Sequence, residues 1–159
     1  MSQSLEQFLA RAEALIARIE QVLPGPLVEP DWSARVAFRY RRRSNGHGLL
    51  EPVRHVATIR LADLQEIDGQ KEKIQRNTLQ FVRGHAANNV LLTGARGTGK
   101  SSLIKACLNE YASQGLRLIE VDKDDMIDLP DLVECVASRA EKFLIFCDDL
   151  SFEDGEPGY

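Results

Sequence analysis

Along residues 3–23, Leu5, Phe8, Leu9, Ala12, Leu15, Ile16, Ile19, Val22 and Leu23 recur at steps of three and four. That spacing lays one apolar stripe along a helix. Ser4 is placed to cap it, with Gln7 three residues on. Pro24-Gly25-Pro26 stops it and opens a linker to about Asp31. Docking on the rest of its own protein is the favoured role of the stripe, ahead of a partner helix. The polar face mixes acids with arginines, which disfavours membrane insertion. Farther on, residues 53–62 alternate apolar and polar at several positions and predict a strand. Asp63 to Gly69 is a turn-rich approach to a helix over 70–82, with Ile74, Leu79 and Phe81 inward and Gly84 as its stop.

From Val90 onward the pattern alternates between element types. Val90-Leu91-Leu92 predicts a short strand, and residues 100–113 a helix that buries Leu103, Ile104, Ala106, Cys107 and Leu108, with Gly115 as C-cap. Residues 116–121 predict a second strand, 122–128 an acidic turn and 130–140 a second helix. Residues 143–150 form a nearly continuous apolar strand, as expected where both faces of a parallel sheet are covered. The order strand–helix–strand–helix–strand predicts an α/β fold with right-handed crossovers.

Composition narrows the class. The chain has 159 residues, 43% of them hydrophobic, which suits a globular domain and not a disordered one. Its net charge of −4 is divided unevenly. Residues 1–60 hold nine arginines, no lysine and six acids, net +3, while residues 61–159 hold eleven basic and eighteen acidic residues, net −7. Cys107, Cys135 and Cys147 lie in apolar stretches without metal-ligand spacing, so reduced core thiols in a cytoplasmic protein are expected. Neither a signal peptide nor an apolar run of bilayer length is present in the pattern.

The candidate chemistry lies between the predicted strand at 90–92 and the helix that follows. Gly94, Gly99, Lys100 and Ser101 satisfy G-x-x-x-x-G-K-[ST] in full. Gly94, Gly97 and Gly99 permit positive φ and close approach of the backbone to a polyphosphate. The amides across Gly94, Ala95, Arg96, Gly97, Thr98, Gly99, Lys100, Ser101 and Ser102 then form an anion nest at a helix N-terminus. Lys100 is expected to reach the β- and γ-phosphates, and the Ser101 hydroxyl to ligate Mg²⁺. Asp148-Asp149, at the end of the last apolar strand, supplies the companion carboxylates. Asp148 is the expected Mg²⁺ partner, and Asp149 stands where an acid polarises attacking water, one methylene shorter than the usual Glu. Asp124, Asp125 and Asp128 are expected to be a solvated acidic turn and not a metal site. His47 and His55 are expected to be structural or solvent-facing.

The runs IDGQKEKIQRNTLQFVRG, NNVLLTGARGTGKSSLIKACLNEYASQGLRLIEV and FLIFCDDLSFE closely resemble a bacterial family of predicted ATPases of the AAA+ superfamily. The resemblance covers roughly residues 49–159. It implies a P-loop NTPase (AAA+-like) parallel sheet with flanking helices, binding ATP and Mg²⁺ and hydrolysing ATP. It also implies adenine contacts near Ile67 and Gly69, and a homo-oligomer in the full-length protein. AAA+ modules continue past the acidic strand with two further strands, a sensor residue, an arginine finger and a helical lid. Their sheet order, resembling 5-1-4-3-2, places one of those strands between the phosphate-loop strand and the Asp148 strand. The ending SFEDGEPGY carries none of these, so a module incomplete on its C-terminal side is expected, with an unpaired gap in mid-sheet. The implied organisation is an N-terminal helix and linker (1–31), an Arg/aromatic segment with a strand (32–62) and the nucleotide-binding half (63–159).

Three rival readings follow from the same residues. A non-hydrolysing ATP-dependent switch or scaffold would recruit a protein client through the N-terminal segment. A small-molecule kinase would need an acceptor pocket and an arginine-bearing lid after Leu150. Nucleic-acid binding would use Trp32, Phe38 and Tyr40 among Arg35, Arg39, Arg41, Arg42 and Arg43. For that stretch the favoured reading is a strand edge whose arginines are solvated or pair with the acidic half of the chain.

Overall fold

The structure, a computed structural model, describes residues 2–20, 27–43, 46 and 48–150. The expected last helical turn at 21–23, the Pro24–Pro26 stop, the turn at Ser44 and Asn45 with His47, and the SFEDGEPGY ending lie outside the described residues. The elements in order are α1 (Ser2–Glu20), β1 (Ala37–Arg42), β2 (Gly48–Pro52), α2 (Asp68–Val82), α3 (Lys100–Tyr111), β3 (Leu116–Val121), α4 (Leu129–Ala137) and β4 (Lys142–Phe146).

The apolar strands gather into one α/β sheet of order β2-β1-β3-β4. β1 pairs antiparallel with β2 and parallel with β3, and β3 pairs parallel with β4. The sheet is therefore mixed, a correction to the all-parallel expectation. The cause is local: β1 and β2 form a hairpin, with Arg42 opposite Gly48. A Cβ at Gly48 would collide with the Tyr40 ring, so glycine is required there.

β3 is buried on both faces. Leu116 and Leu118 pack with Ala37 and with Ile104, Leu108 and Tyr111 of α3. Ile119 and Val121 point the other way, into Trp32, Phe38, Tyr40 and Leu132 of α4. α2 closes a third cluster, with Leu61, Leu64 and Ile74 against Leu103, Ala106 and Cys107 of α3. Burial pushes the Cys107 thiol up to about 11, and all three cysteines are free. No helix among the described residues is long and apolar enough to cross a membrane. Leu5, Phe8, Leu9, Leu15, Ile16 and Ile19 of α1 are exposed and do not dock on the sheet, contrary to their favoured role.

Two expected strands do not form. Residues 53–60 form no strand and make one bond to the sheet backbone, Val53 N–H to the Ala37 carbonyl at 2.9 Å. Val53, Val56 and Ile59 are its half-buried positions. A repeat of three cannot keep one face of a pleated strand inward, since that needs a repeat of two. The Asn109 side chain instead ties this strap to α3, donating to the carbonyls of Ala57 and Ile59 at 2.7 and 2.8 Å. Residues 90–92 are likewise unpaired, with Val90 and Leu91 exposed and Leu92 half-buried. No strand lies beside them among the described residues, and β4 is the last strand of the sheet.

The arginine-rich segment is part of the core. Trp32 and Phe38 are 2% and 0% exposed, and their rings meet edge to face at 4.6 Å, with Phe143 at 4.7 Å from Trp32. Buried rings offer no face to a nucleobase. Arg39 pairs with Glu120 directly across the β1–β3 register at 2.8 Å, and Arg42 approaches Asp128 at 3.7 Å. The turn at 122–128 is accordingly not purely solvated. Asp128 accepts the Tyr40 hydroxyl at 2.8 Å, and Asp125 accepts the Arg42 amide at 3.2 Å. Burial, then the hydrogen bond to Asp128, raises the Tyr40 hydroxyl's pKa.

Trp32 joins β1, β4 and α4, so Trp32→Ala is expected to cost about 3–5 kcal/mol through the cavity it leaves. Urea unfolding monitored by circular dichroism checks this, and a loss below about 1 kcal/mol would contradict the packing described.

Candidate functional site

The site is assembled where α3 begins and β4 ends. Gly94, Gly97 and Gly99 hold φ of 143°, 84° and 83°, values open to glycine at little cost. An added Cβ at Gly97 or Gly99 would meet nothing within 4 Å, so backbone conformation, and not crowding, demands glycine there. The turn is closed from within: the Thr98 hydroxyl donates to the Ala95 carbonyl at 2.9 Å.

Gly99 is the N-cap of α3, in the left-handed region, with no capping side chain and no acid in the first turn. The first intrahelical bond runs from the Leu103 amide to the Gly99 carbonyl at 2.9 Å. The amides of Lys100, Ser101 and Ser102 therefore begin the helix without an intrahelical acceptor, at the positive end of its dipole. Such a start attracts an anion. The Lys100 ammonium folds over the same turn and donates to the Gly94 and Ala95 carbonyls, each at 2.9 Å. Ala95, Arg96 and Thr98 lie on the exposed rim, and Ser102 is half-buried.

Ser101 faces the end of β4. Its hydroxyl donates to the Asp148 carboxylate at 2.6 Å, a contact between residues 47 apart in sequence. The other Asp148 oxygen accepts the Asp149 amide at 3.0 Å, which orients the carboxylate. Asp149 sits at φ 52°, a conformation Asp tolerates, and its side chain is exposed without an ion pair among the described residues. One hydroxyl beside one carboxylate suits Mg²⁺, which keeps waters and takes phosphate oxygens instead of demanding a protein cage. The described residues contain no group of three or more His, Cys, Asp or Glu placed to hold a metal.

Ile67 and Gly69 lie at the start of α2. Ile67 is half-buried against the Leu103 cluster of α3, whereas Gly69 is exposed with open space around it. The sequence pattern did not single out Asn77. Its side chain clasps Asn88 from α2, donating to the carbonyl at 2.8 Å and accepting from the amide at 3.0 Å. That clasp holds the segment leading into the glycine turn. A half-buried Asn next to the buried Thr78 is no distinctive signal in the α2 pattern, so sequence alone does not find it.

No curated protein and no solved structure matches the chain. Residues 33–159, the span that contains the sheet, the glycine turn and Asp148, match the family described as "protein of unknown function (DUF815)", and the chain belongs to that family.

Proposed function

We propose that this chain is the nucleotide-binding part of an Mg²⁺-dependent ATPase of the P-loop, AAA+-like class, working in the cytoplasm. The observation that carries the reading is the 2.6 Å bond between Ser101 and Asp148. It joins the two side chains that a phosphate-loop enzyme needs around one Mg²⁺ ion. The open edge of β4 and the unpaired 90–92 segment also fit the sheet order of that class, in which one further strand lies between them.

In this reading the amides from Gly94 to Ser102 receive the phosphates, and the Lys100 ammonium exchanges its two carbonyl acceptors for phosphate oxygens. Ser101 and Asp148 hold Mg²⁺, which when bound neutralises charge on the β- and γ-phosphate oxygens. Asp149 orients the attacking water. The protein's contribution is placement of fixed positive charge around a loose transition state. Ile67 is assigned to the adenine side because it shares a cluster with α3, and Gly69 accompanies it at the same helix start. ATP over GTP rests on the family resemblance.

The exposed, unsupported carboxylate of Asp149 favours one alternative: a switch that binds ATP without turning it over and recruits a protein client. The first experiment is ATP titration by calorimetry. Lys100→Ala is expected to weaken binding by about 30-fold or more, the effect of losing one partner of a desolvated charge pair. An unchanged affinity would overturn the phosphate site. The second is Asp149→Asn with steady-state phosphate release. Turnover is expected to fall by about 10²–10⁴-fold with ATP affinity kept, as for loss of a general base. Binding without measurable turnover in either protein identifies the switch instead.

A further inference from the structure

α1 is the least explained element of the molecule. Leu5, Phe8, Leu9, Leu15, Ile16 and Ile19 are 46% to 67% exposed, half of the large exposed hydrophobics among the described residues. They follow a heptad. Leu5, Ala12 and Ile19 occupy a; Phe8 and Leu15 occupy d; Leu9 and Ile16 occupy e. At 100° per residue this is a stripe roughly 120° wide, broader than a two-stranded a/d seam.

The charges on its flanks are sorted by sign. Glu6, Glu13 and Glu20 all fall at b, along one edge of the stripe, and Arg11 and Arg18 both fall at g, along the other. Neither Glu13 nor Glu20 stands three or four residues from Arg11 or Arg18, so these four do not pair within one helix at the usual spacing. Side-by-side copies can pair them. In a parallel bundle the g edge of each helix lies against the e and b edge of the next, which brings Arg to Glu at every contact. An antiparallel pair would set Arg against Arg and Glu against Glu. Three apolar rows per heptad are fully covered only when each helix has a neighbour on both sides.

We infer that α1 is a self-association helix whose partner is the same helix in further copies of this chain, packed parallel in a bundle of three or more. A membrane surface fits less well, since a row of glutamates borders the apolar face. The inference does not rest on the nucleotide site, and the test omits nucleotide so that the two can fail separately.

The experiment is light scattering on the full chain from low to high micromolar concentration. Wild type is expected to show at least three times the 17.8 kDa of one chain. Ile16→Asp is expected to return it to a single chain with unchanged Trp32 fluorescence, because α1 packs nothing of the core. Two charge variants make the orientation testable: Arg11→Glu with Arg18→Glu, and Glu13→Arg with Glu20→Arg. Each alone is expected to lose association, because every contact in the parallel bundle then sets like charge against like. A single-chain mass for wild type at the highest concentration would overturn the inference. So would an assembly untouched by Ile16→Asp, or charge variants that keep the wild-type mass.

Discussion

Every spatial relation at the candidate site depends on burial of β3 from both sides. Leu116 and Leu118 hold α3 against one face, and Ile119 and Val121 hold the Trp32–Leu132 cluster against the other. β4 runs parallel to β3 in a register that places Leu144 beside Leu118. α3 therefore starts, and β4 ends, at the same edge of the sheet, because a crossover helix returns the chain antiparallel to its strands. Ser101 and Asp148 meet through this geometry, since nothing in their own local sequences brings them together. A parallel strand pair with a helix between has its functional ends at the carboxyl edge, and here that edge carries the only hydroxyl–carboxylate contact bridging α3 and β4 among the described residues.

What could be read from the pattern divides along physical lines. Elements specified by their own periodicity were legible: α2, α3 and β3 formed where spacing placed them, β3 over the same six residues. Elements that depend on a distant partner were less so. A strand is defined by its neighbour, and the apolar run at 90–92 has none in the described chain. Residues 53–60 look strand-like because every third residue is apolar, and a short window cannot separate that from imperfect alternation. The expected strand at 143–150 ends at Phe146, four residues early, because pairing with β3 stops at Glu120. The residues of the glycine turn were legible for the opposite reason: positive φ, a bare helix start and a lysine are local requirements. Asn77 was not, because its contact with Asn88 depends on how α2 lies against the following segment.

The arginine-rich stretch shows why composition alone misleads about function. Arginines interleaved with aromatics are also what a strand near a sheet edge needs when one face is core and its tip meets an acidic turn. Trp32, Phe38 and Tyr40 alternate into the core, while Arg39 and Arg42 meet Glu120 and Asp128. The charge asymmetry between the two halves of the chain thereby becomes a cross-strand interaction. Its energetic weight is modest, since the Arg39 side chain is 43% exposed and such pairs contribute about 0–1 kcal/mol. Its structural value is register, because a slip of one residue would set Arg39 beside an apolar neighbour and turn Phe38 outward.

The glycine turn keeps its shape without a strand ladder behind it, and this bears on what the site can do. Three supports replace the ladder: the Asn77–Asn88 clasp before the turn, Leu92 wedged between two core clusters, and the buried face of α3 after it. The supports at the two ends are unequal. α3 is anchored by Leu103, Ile104 and Cys107 within its first two turns, so the amides of Lys100 and Ser101 are rigidly placed. The stretch from Thr93 to Thr98 is exposed and held mainly by Thr98 and Lys100 bonding to the carbonyls of Gly94 and Ala95. Binding an anion there would draw Lys100 away from those carbonyls, exchanging an internal brace for an external one. An anion bound there would thus be coupled to the turn's order through a single ammonium group, with the helix start at Lys100 and Ser101 as the template for that exchange.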